Sequence, residues 1–418
     1  MSFLDRRFSA DDLMQRARRR TGLDDFGDAR FEEGLEVLLQ ALAEDAALGL
    51  FGHWVTARDI VRFLSNLLRL RREEELAPDI LDQPIERPLF ITGLPRSGTT
   101  FLHQLLAEDP ANLVPRVWQM IHPYPIGAGG RGDHRRKLVS RQLRLFQLIA
   151  PRFHSIHPIG ADSPQECSEI TAHVFASARF DTTYFVPSYR QWLDRTGHLQ
   201  AYRFHKRFLQ HLQHQAASPG RWVLKCPDHV FALDAIRAVY PDARAVFVHR
   251  DPLRVLPSVA HLTDVLRRPF TRRIDRAALG RQESERWLAG AELMIAAADA
   301  EPFAEPIFHI DHRDLVDDPL GTVRALYRHF GLEFGTDAAA RILTRIAAEP
   351  RGGYGRNHYR WEDYALDPVR ERERFKRYAA RFASNGDWGR QSGDRGQGQS
   401  PDRRGMIGAP SSQTPAAG

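Results

Sequence analysis

A turn rich in glycine, serine and threonine at residues 93–100, GLPRSGTT, has the clearest chemical potential in this sequence. It follows a short apolar run at residues 89–92 and precedes apolar residues at helical spacing, so the pattern predicts a strand, a tight loop and a helix. In that layout, free backbone N–H groups and the positive end of a helix dipole face one point. The stretch therefore predicts an anion-binding loop for a phosphate or sulfate.

The same loop departs from the Walker A pattern at one fixed position, because Thr99 replaces the phosphate-binding lysine and the cation appears at Arg96. A nucleoside triphosphatase needs that lysine on its β- and γ-phosphates, so its loss favours a different anionic donor. The segment PRSGTT resembles the 5′-phosphosulfate loop of sulfotransferases. This resemblance implies 3′-phosphoadenosine 5′-phosphosulfate (PAPS) as donor, held by Arg96, Ser97, Gly98, Thr99 and Thr100.

A second motif, VFVHRDPLRVLPSV, delivers Arg250 to the end of a predicted strand and Ser258 to the following helix, with Pro252 in its first turn. A guanidinium and a hydroxyl so placed could grip one phosphate from two sides. The spacing resembles the 3′-phosphate motif of sulfotransferases, although a plain strand-helix junction with a solvated arginine would look the same. The two HRD triplets, which begin at His249 and His312, lack the asparagine and the glycine-rich loop of protein kinases.

Lys225 ends another predicted strand, RWVLK, in a chain with only four lysines. A compact ammonium there could stabilise the charge that grows on the oxygen of a departing nucleotide. The segment resembles the lysine-proline element of some sulfotransferases, including the tyrosylprotein enzymes. A lysine that simply reaches solvent is the alternative.

The general base has two candidates, since an acceptor must lose a proton as it attacks. Glu166 is the first, between the loop and Lys225, but Ser163 to Glu166 also reads as a capping box with proline at the first helical position. His229 is the second, and it could equally begin the next helix. The family resemblance would place a glutamate after Trp118, where this chain has Gln119.

Two further segments carry the resemblance toward the C-terminus. Residues 309–334 resemble a strand, loop and helix of the family, and residues 351–368 resemble its basic loop over the nucleotide, which implies Arg351 and Arg356 as phosphate contacts. A glycine-rich surface loop with arginines would look similar. The resemblance covers roughly residues 30–384.

Strands that alternate with helices predict an α/β fold with a P-loop-like three-layer core and a mostly parallel sheet, whose ligands lie beyond the carboxyl ends of the strands. Residues 1–85 are predicted to form a helical N-terminal cap and residues 86–384 the sulfotransferase domain. Residues 385–418 are too poor in apolar side chains to order themselves. Residues 127–136 have the composition of a mobile loop, which could act as a lid over the acceptor.

Composition narrows the functional class. The net charge of +6 suits an anionic ligand. Nucleic-acid binding is not favoured, because the basic residues are spread evenly along the chain and the sequence has no nucleic-acid-binding motif. The two cysteines, far apart, predict neither a disulfide framework nor a metal site, and we expect no metal requirement. The sequence shows no signal peptide or membrane span, which predicts a cytoplasmic protein.

The sequence as a whole favours a PAPS-dependent sulfotransferase that acts by in-line displacement on a hydroxyl, phenol or amine. A P-loop nucleoside triphosphatase or small-molecule kinase, and a non-catalytic nucleotide-binding protein, remain open alternatives. We expect a small-molecule acceptor of apolar character, because several aromatic residues could line a pocket. These are Trp118, Tyr124, Tyr184, Phe185, Tyr189 and Trp192, and ordinary core positions are the alternative for them.

Overall fold

Five parallel strands form the central sheet of the computed structural model, which describes residues 8–28, 30–125, 134–149, 160–216, 218–300, 303–348, 359–383 and 388. The strands, in chain order, are β1 (Leu89–Gly93), β2 (Asn112–Leu113), β3 (Arg221–Lys225), β4 (Arg244–His249) and β5 (Phe308–Asp311). They lie across the sheet in the order β2-β3-β1-β4-β5, so the strand that enters the glycine-rich loop is central. Each strand pairs in parallel with its neighbours, which confirms the predicted fold class.

The α-helices of the described residues precede, connect and follow these strands. In chain order they are α1 (Ala10–Thr21), α2 (Phe31–Glu44), α3 (Leu50–Leu76), α4 (Thr99–Leu106), α5 (Val117–Ile121), α6 (Arg135–Ile149), α7 (Ser168–Thr171), α8 (Arg179–Thr183), α9 (Pro187–Thr196), α10 (Leu199–His214), α11 (Leu233–Val239), α12 (Pro252–Arg267), α13 (Arg276–Asp299), α14 (His312–Asp317), α15 (Pro319–His329), α16 (Thr336–Ala348), α17 (Pro368–Arg374) and α18 (Lys376–Phe382). Short 3₁₀ turns occupy Pro78–Asp82, Ala172–Val174, Pro227–Ala232 and Glu362–Tyr364.

Side chains of the strands alternate between two apolar layers, as the two-residue period of a strand requires. Phe90 and Phe247 point into one buried cluster, with residues of α3, α10, α11, α12 and α13. Ile91 and Val246 point into the other, with residues of α4, α15 and α16. The sheet is therefore buried on both faces, and the three predicted layers are confirmed.

The N-terminal helices follow the sequence signals closely. Ser9 caps α1 by accepting a hydrogen bond from the amide of Asp12 at 3.3 Å, and Gly22 ends the helix with φ 69°, where a side chain is disfavoured. Side chains of α2 and α3 belong to the same apolar cluster as one face of the sheet. The boundary near residue 85 stays a prediction.

The segment 163–178 does not form the single helix that its capping pattern predicts. The backbone of residues 161–165 instead bonds to that of residues 115–118, and Ser163 Oγ accepts from the amide of Gly160. Since those backbone groups are used in tertiary pairing, the helix starts only at Ser168. A helical pattern also runs from Tyr189 to Gln215 in the sequence, but the structure has two helices there, α9 and α10, because Gly197 turns the chain between them with φ 75°.

Candidate active site

The glycine-rich loop leaves the central strand β1 at its carboxyl end and leads directly into α4. Gly93 and Gly98 have φ values of 153° and 99°, and a side chain at Gly93 would collide with the carbonyl oxygen of Val248 on β4. Arg96 takes the left-handed conformation with φ 63°, which a non-glycine residue adopts at some cost. The loop is thus a tight, backbone-lined turn at a helix N-terminus, as predicted.

Ser97 lies at the base of this loop. Its side chain is fully buried, and Oγ has no hydrogen-bond partner among the described residues. Its carbonyl accepts a hydrogen bond of 2.9 Å from Nδ1 of His312, the first residue of α14. Burial and the nearby charge of Arg250 lower the pKa of His312 to about 4, so the imidazole is neutral at physiological pH. An unused buried hydroxyl suits an anionic ligand that supplies the missing partner.

The two arginines predicted to bind phosphate lie side by side. Arg96 Nε donates to Oγ of Ser258 at 3.3 Å, and the Arg250 guanidinium donates to the carbonyl oxygen of Arg96. Ser258 is buried in the second turn of α12, whereas Arg96 is exposed. The adjacent carboxyl ends of β1 and β4 produce this arrangement, since parallel strands end at one edge. Two separate sequence motifs therefore form one cationic cluster.

Lys225 ends β3, on the other side of β1, and only 2% of the residue is exposed. Its Nζ donates to Oγ1 of Thr100 at 3.2 Å and to Oε1 of Glu166 at 2.5 Å. The ammonium group of Lys225, at the end of β3, thus joins the first turn of α4 to the segment that contains Glu166. The structure brings together three of the predicted site residues here.

Glu166 is held beside Lys225 by the backbone. The amide of Cys167, the next residue, donates to the carbonyl oxygen of Lys225 at 3.1 Å. The Glu166 side chain keeps 36% of its surface exposed, so its carboxylate meets solvent as well as the buried ammonium. A carboxylate that is fixed, partly open and beside a cation has the access that a proton acceptor needs.

His229 has different surroundings. It is fully buried, its Nδ1 is hydrogen-bonded to the hydroxyl of Tyr202 at 2.5 Å, and its ring packs edge-on against Phe90. Burial, together with the neighbouring His205 and Lys225, lowers its pKa well below the ordinary value. The structure therefore places His229 in the core beneath β1, apart from the exposed carboxylate of Glu166.

Four charged side chains form a network that includes Glu169, and the sequence motifs do not predict it. Arg62 on α3 contacts Asp59 and Glu169 at 2.8 and 2.7 Å, and Arg179 on α8 contacts the same two carboxylates at 2.8 and 2.6 Å. Burial raises the pKa of Asp59, but the two arginines outweigh it and lower the value to about 2. The network fixes Glu169, three residues beyond Glu166. Its only sequence signal is a pair of opposite charges three positions apart on a largely apolar helix.

Gln119 and the six aromatic residues have structural surroundings. Gln119 Oε1 accepts from the amide of Arg116 at 2.9 Å and so caps α5. Tyr124, Tyr184 and Tyr189 are buried in the core. Phe185 lines a cleft of about 770 Å³ that includes none of the predicted site residues. The aromatic set does not form one pocket among the described residues.

Some predicted features cannot be placed. Arg351 and Arg356 lie outside the described residues, as do residues 126–133 of the glycine-rich stretch and nearly all of the C-terminal segment from residue 385. Among the residues with described positions, no group of three or more His, Cys, Asp or Glu side chains could hold a metal ion. None of the helices in those ranges is long and apolar enough to cross a membrane.

The fold and the site together define a class. The parallel α/β sheet has a central strand that enters a lysine-free loop, with arginines on one side of the loop and a lysine on the other. These features define a P-loop-like protein. The family follows from comparison with known proteins. The sulfotransferase family model matches residues 88–336, more than half of the chain, and the chain belongs to this family.

Two solved structures support the assignment over nearly the whole chain. The sulfotransferase STF1 of Mycobacterium tuberculosis is 31% identical with a TM-score of 0.75, and the alignment covers 88% of this chain and 98% of that one. The sulfotransferase STF9 of Mycobacterium avium is 28% identical with a TM-score of 0.82, over 90% of this chain and 97% of that one. The predicted resemblance to bacterial sulfotransferases is confirmed.

A curated relative is more distant. The omega-hydroxy-beta-dihydromenaquinone-9 sulfotransferase Stf3 of Mycobacterium bovis is 25% identical over 253 residues, which are 59% of this chain. The chain spans about 63% of the length of this relative.

Proposed function

We propose that the protein transfers the sulfuryl group of PAPS to a hydroxyl, phenol or amine of a small acceptor by in-line displacement. One observation carries the proposal: the buried ammonium of Lys225 contacts both Thr100 of the anion loop and the partly open carboxylate of Glu166. A cation for a leaving oxygen and a carboxylate for an incoming nucleophile thus lie on one line of contacts with the loop. Family membership supports the reaction class.

The donor-binding residues fit the nucleotide. Backbone amides of the loop, the unpartnered hydroxyl of Ser97, Thr99, Thr100 and Arg96 would hold the 5′-phosphosulfate. Arg250 and Ser258 would hold the 3′-phosphate, and Arg351 and Arg356 stay predictions for phosphate contacts. PAPS supplies the sulfuryl group and departs as 3′-phosphoadenosine 5′-phosphate.

The chain's own chemistry is then electrostatic and acid-base. Lys225 neutralises the negative charge that develops on the bridging oxygen, which a buried ammonium does more effectively than an exposed one because the local dielectric constant is low. Glu166 accepts the acceptor's proton on its partly exposed carboxylate. Between the two predicted bases, the geometry supports Glu166, since His229 is fully buried against Tyr202 and Phe90.

The acceptor in this proposal is an apolar small molecule with a hydroxyl group. The curated relative is named for an omega-hydroxy-dihydromenaquinone, which supports an apolar alcohol as the first class to try. A cytoplasmic location belongs to the same proposal.

Calorimetric binding of 3′-phosphoadenosine 5′-phosphate, ADP and ATP, with and without Mg²⁺, tests the donor. We expect metal-independent preference for the 3′-phosphorylated nucleotide. Arg250→Ala should lower that affinity roughly 10- to 100-fold, the value of a lost charge-assisted contact. Arg328→Ala, at an exposed arginine on α15, is the control. Preference for ATP with Mg²⁺ would refute the proposal and support the phosphotransferase alternative.

Turnover separates the enzyme from a non-catalytic binder. Wild type and Lys225→Met are incubated with PAPS and a panel of apolar alcohols and phenols, and sulfated product is measured. Nucleotide binding without product from any acceptor class would favour the non-catalytic alternative, for which Gln119 in the glutamate position is the sequence argument.

A further inference from the structure

An apolar patch is exposed at the first turn of α3. Leu50, Phe51 and Trp54 keep 74%, 57% and 61% of their surface exposed, and the rings of Phe51 and Trp54 lie 6.3 Å apart. Exposed apolar residues scattered singly need no explanation, but three large ones on one helical turn form a contiguous surface. The patch has no role in the site described above.

An arginine-rich loop, residues 268–276, packs directly beside this turn. The amide of Gly49 donates to the carbonyl oxygen of Phe270 at 2.9 Å, and the amide of Arg272 donates to that of Ala47 at 3.0 Å. A side chain at Gly52 would collide with the backbone of Phe270, so the glycine allows the close approach. The loop and the apolar turn therefore form one surface, which we call the Trp54 surface.

The Trp54 surface is strongly basic. Arg58 lies 5.7 Å from the ring of Trp54, and the loop adds exposed arginines at positions 268, 272, 273 and 276. Asp264, the partner of two of them, is itself only 1% exposed. Asp275, the acidic residue within the loop, caps α13 through the amide of Ala278. The Trp54 surface thus carries five arginines against two carboxylates, Asp264 and Asp275, together with three exposed apolar side chains.

We propose that the Trp54 surface docks the protein on an anionic phospholipid bilayer. Trp54, Phe51 and Leu50 would enter the headgroup region, where aromatic rings with a polar atom are favoured, while the arginines contact lipid phosphates. A second copy of the chain suits this surface less well, because a symmetric contact would bring ten arginines together with only four carboxylates. The inference uses no residue of the nucleotide site and stands independently of the proposed donor.

Docking in this way would keep the site near the bilayer. On α12, Ser258 and Arg267 are nine residues apart, which is roughly 14 Å of helix, and the basic loop begins at the next residue. A membrane-dissolved acceptor would therefore have a short route to the anion loop.

Vesicle cosedimentation of the full chain tests the proposal. The probes are phosphatidylcholine vesicles with and without roughly one-third phosphatidylglycerol. We expect wild type to bind the anionic vesicles at least about tenfold more tightly. Trp54→Asp should weaken that binding at least about tenfold, because it places a negative charge within the exposed apolar patch. Leu76→Asp is the matched control, since Leu76 is 65% exposed at the opposite end of the same helix.

The electrostatic part has its own pair of variants. Arg273→Gln should weaken binding about fivefold, the value of one interfacial arginine, whereas Arg328→Gln, an exposed arginine on α15, should leave it unchanged. Circular dichroism and nucleotide calorimetry verify that each variant is folded.

The proposal is overturned if wild type binds neither vesicle, binds both equally, or binds as well after Trp54→Asp. It is also overturned if sedimentation velocity shows a concentration-dependent dimer in wild type that Trp54→Asp dissociates, because the patch would then be covered by a second copy. Nucleotide binding that fails in all variants would count against the donor assignment and leave the docking result intact.

Discussion

The contact between Lys225 and Glu166 yields the sharpest prediction. Glu166→Gln removes the proton acceptor but keeps a carbonyl oxygen that can accept from Lys225 Nζ, 2.5 Å away in the wild type. Because Lys225 is only 2% exposed, the change leaves a buried ammonium with a neutral acceptor in place of a carboxylate, so the free energy of unfolding should fall by roughly 1–3 kcal/mol. Catalysis should respond far more strongly.

The expected loss in kcat is about 10²- to 10⁴-fold, the usual contribution of a general base, with nucleotide affinity within about threefold of wild type. Lys225→Met should cost kcat about 10²- to 10³-fold, which corresponds to roughly 3–4 kcal/mol of lost transition-state stabilisation. Lys376→Met, at a lysine that is 65% exposed, is the control for removal of a positive charge.

The assay is product formation from PAPS with an acceptor that wild type sulfates, with calorimetry of the product nucleotide on each variant. A variant that retains kcat within about threefold of wild type would refute the assignment of Glu166 as base. A parallel fall in nucleotide affinity would mean that Glu166 acts by positioning Lys225 and the loop instead.

Three further predictions concern the loop and the core. His312→Ala should weaken binding of 3′-phosphoadenosine 5′-phosphate roughly fivefold in calorimetry, because the hydrogen bond to the loop carbonyl is lost. Since burial lowers the pKa of His312 to about 4, the ratio of the variant's Kd to the wild-type Kd should stay constant from roughly pH 6 to 8. Phe90→Ala should lower the free energy of unfolding by about 3–5 kcal/mol in a urea titration, while Val369→Ala at an exposed position should change it little. Burial and the charge of Lys225 lower the pKa of His103 to about 3, so between pH 6.5 and 3 the unfolded chain binds a proton that the folded chain excludes. The free energy of unfolding should therefore fall as the pH drops through this range. His103→Gln should reduce that fall by about 2 kcal/mol at roughly pH 5.

The strands and the loop could be predicted because their signals are local. Short apolar runs bounded by glycine or proline fix β1, β3 and β4, and the alternation of strands with helices fixes the parallel sheet. Parallel strands share a carboxyl edge, so Arg250 and Lys225 were expected near the loop before any contact was known.

Elements that depend on tertiary contacts were missed. Strand β2 has two residues and is defined by pairing with β3, and α13 has alternating alanines and charges without a strong apolar stripe. The capping signal at Ser163 was overridden by backbone pairing with residues 115–118. Local propensity is a weak prior wherever such pairing is available.

The site residues also divide into those that local motifs predict and those that depend on tertiary contacts. Arg96, Arg250 and Ser258 come from motifs with fixed spacing, and they meet in the structure. The bond from His312 to the loop joins residues more than 200 positions apart, and no spacing rule predicts it. The choice between Glu166 and His229 depended on burial, which the sequence alone did not provide.

The network of Asp59, Arg62, Glu169 and Arg179 bears on how the chain could be shortened. Two of its four charges come from α3, so a truncated protein that starts at residue 86 would keep the pair of Glu169 and Arg179, but each would lose its partner on α3, beside apolar surface that α2 and α3 normally cover. Loss of half of a largely buried charge network is destabilising, since the remaining charges are incompletely paired. We expect the helices before residue 86 to be required for expression of a folded protein.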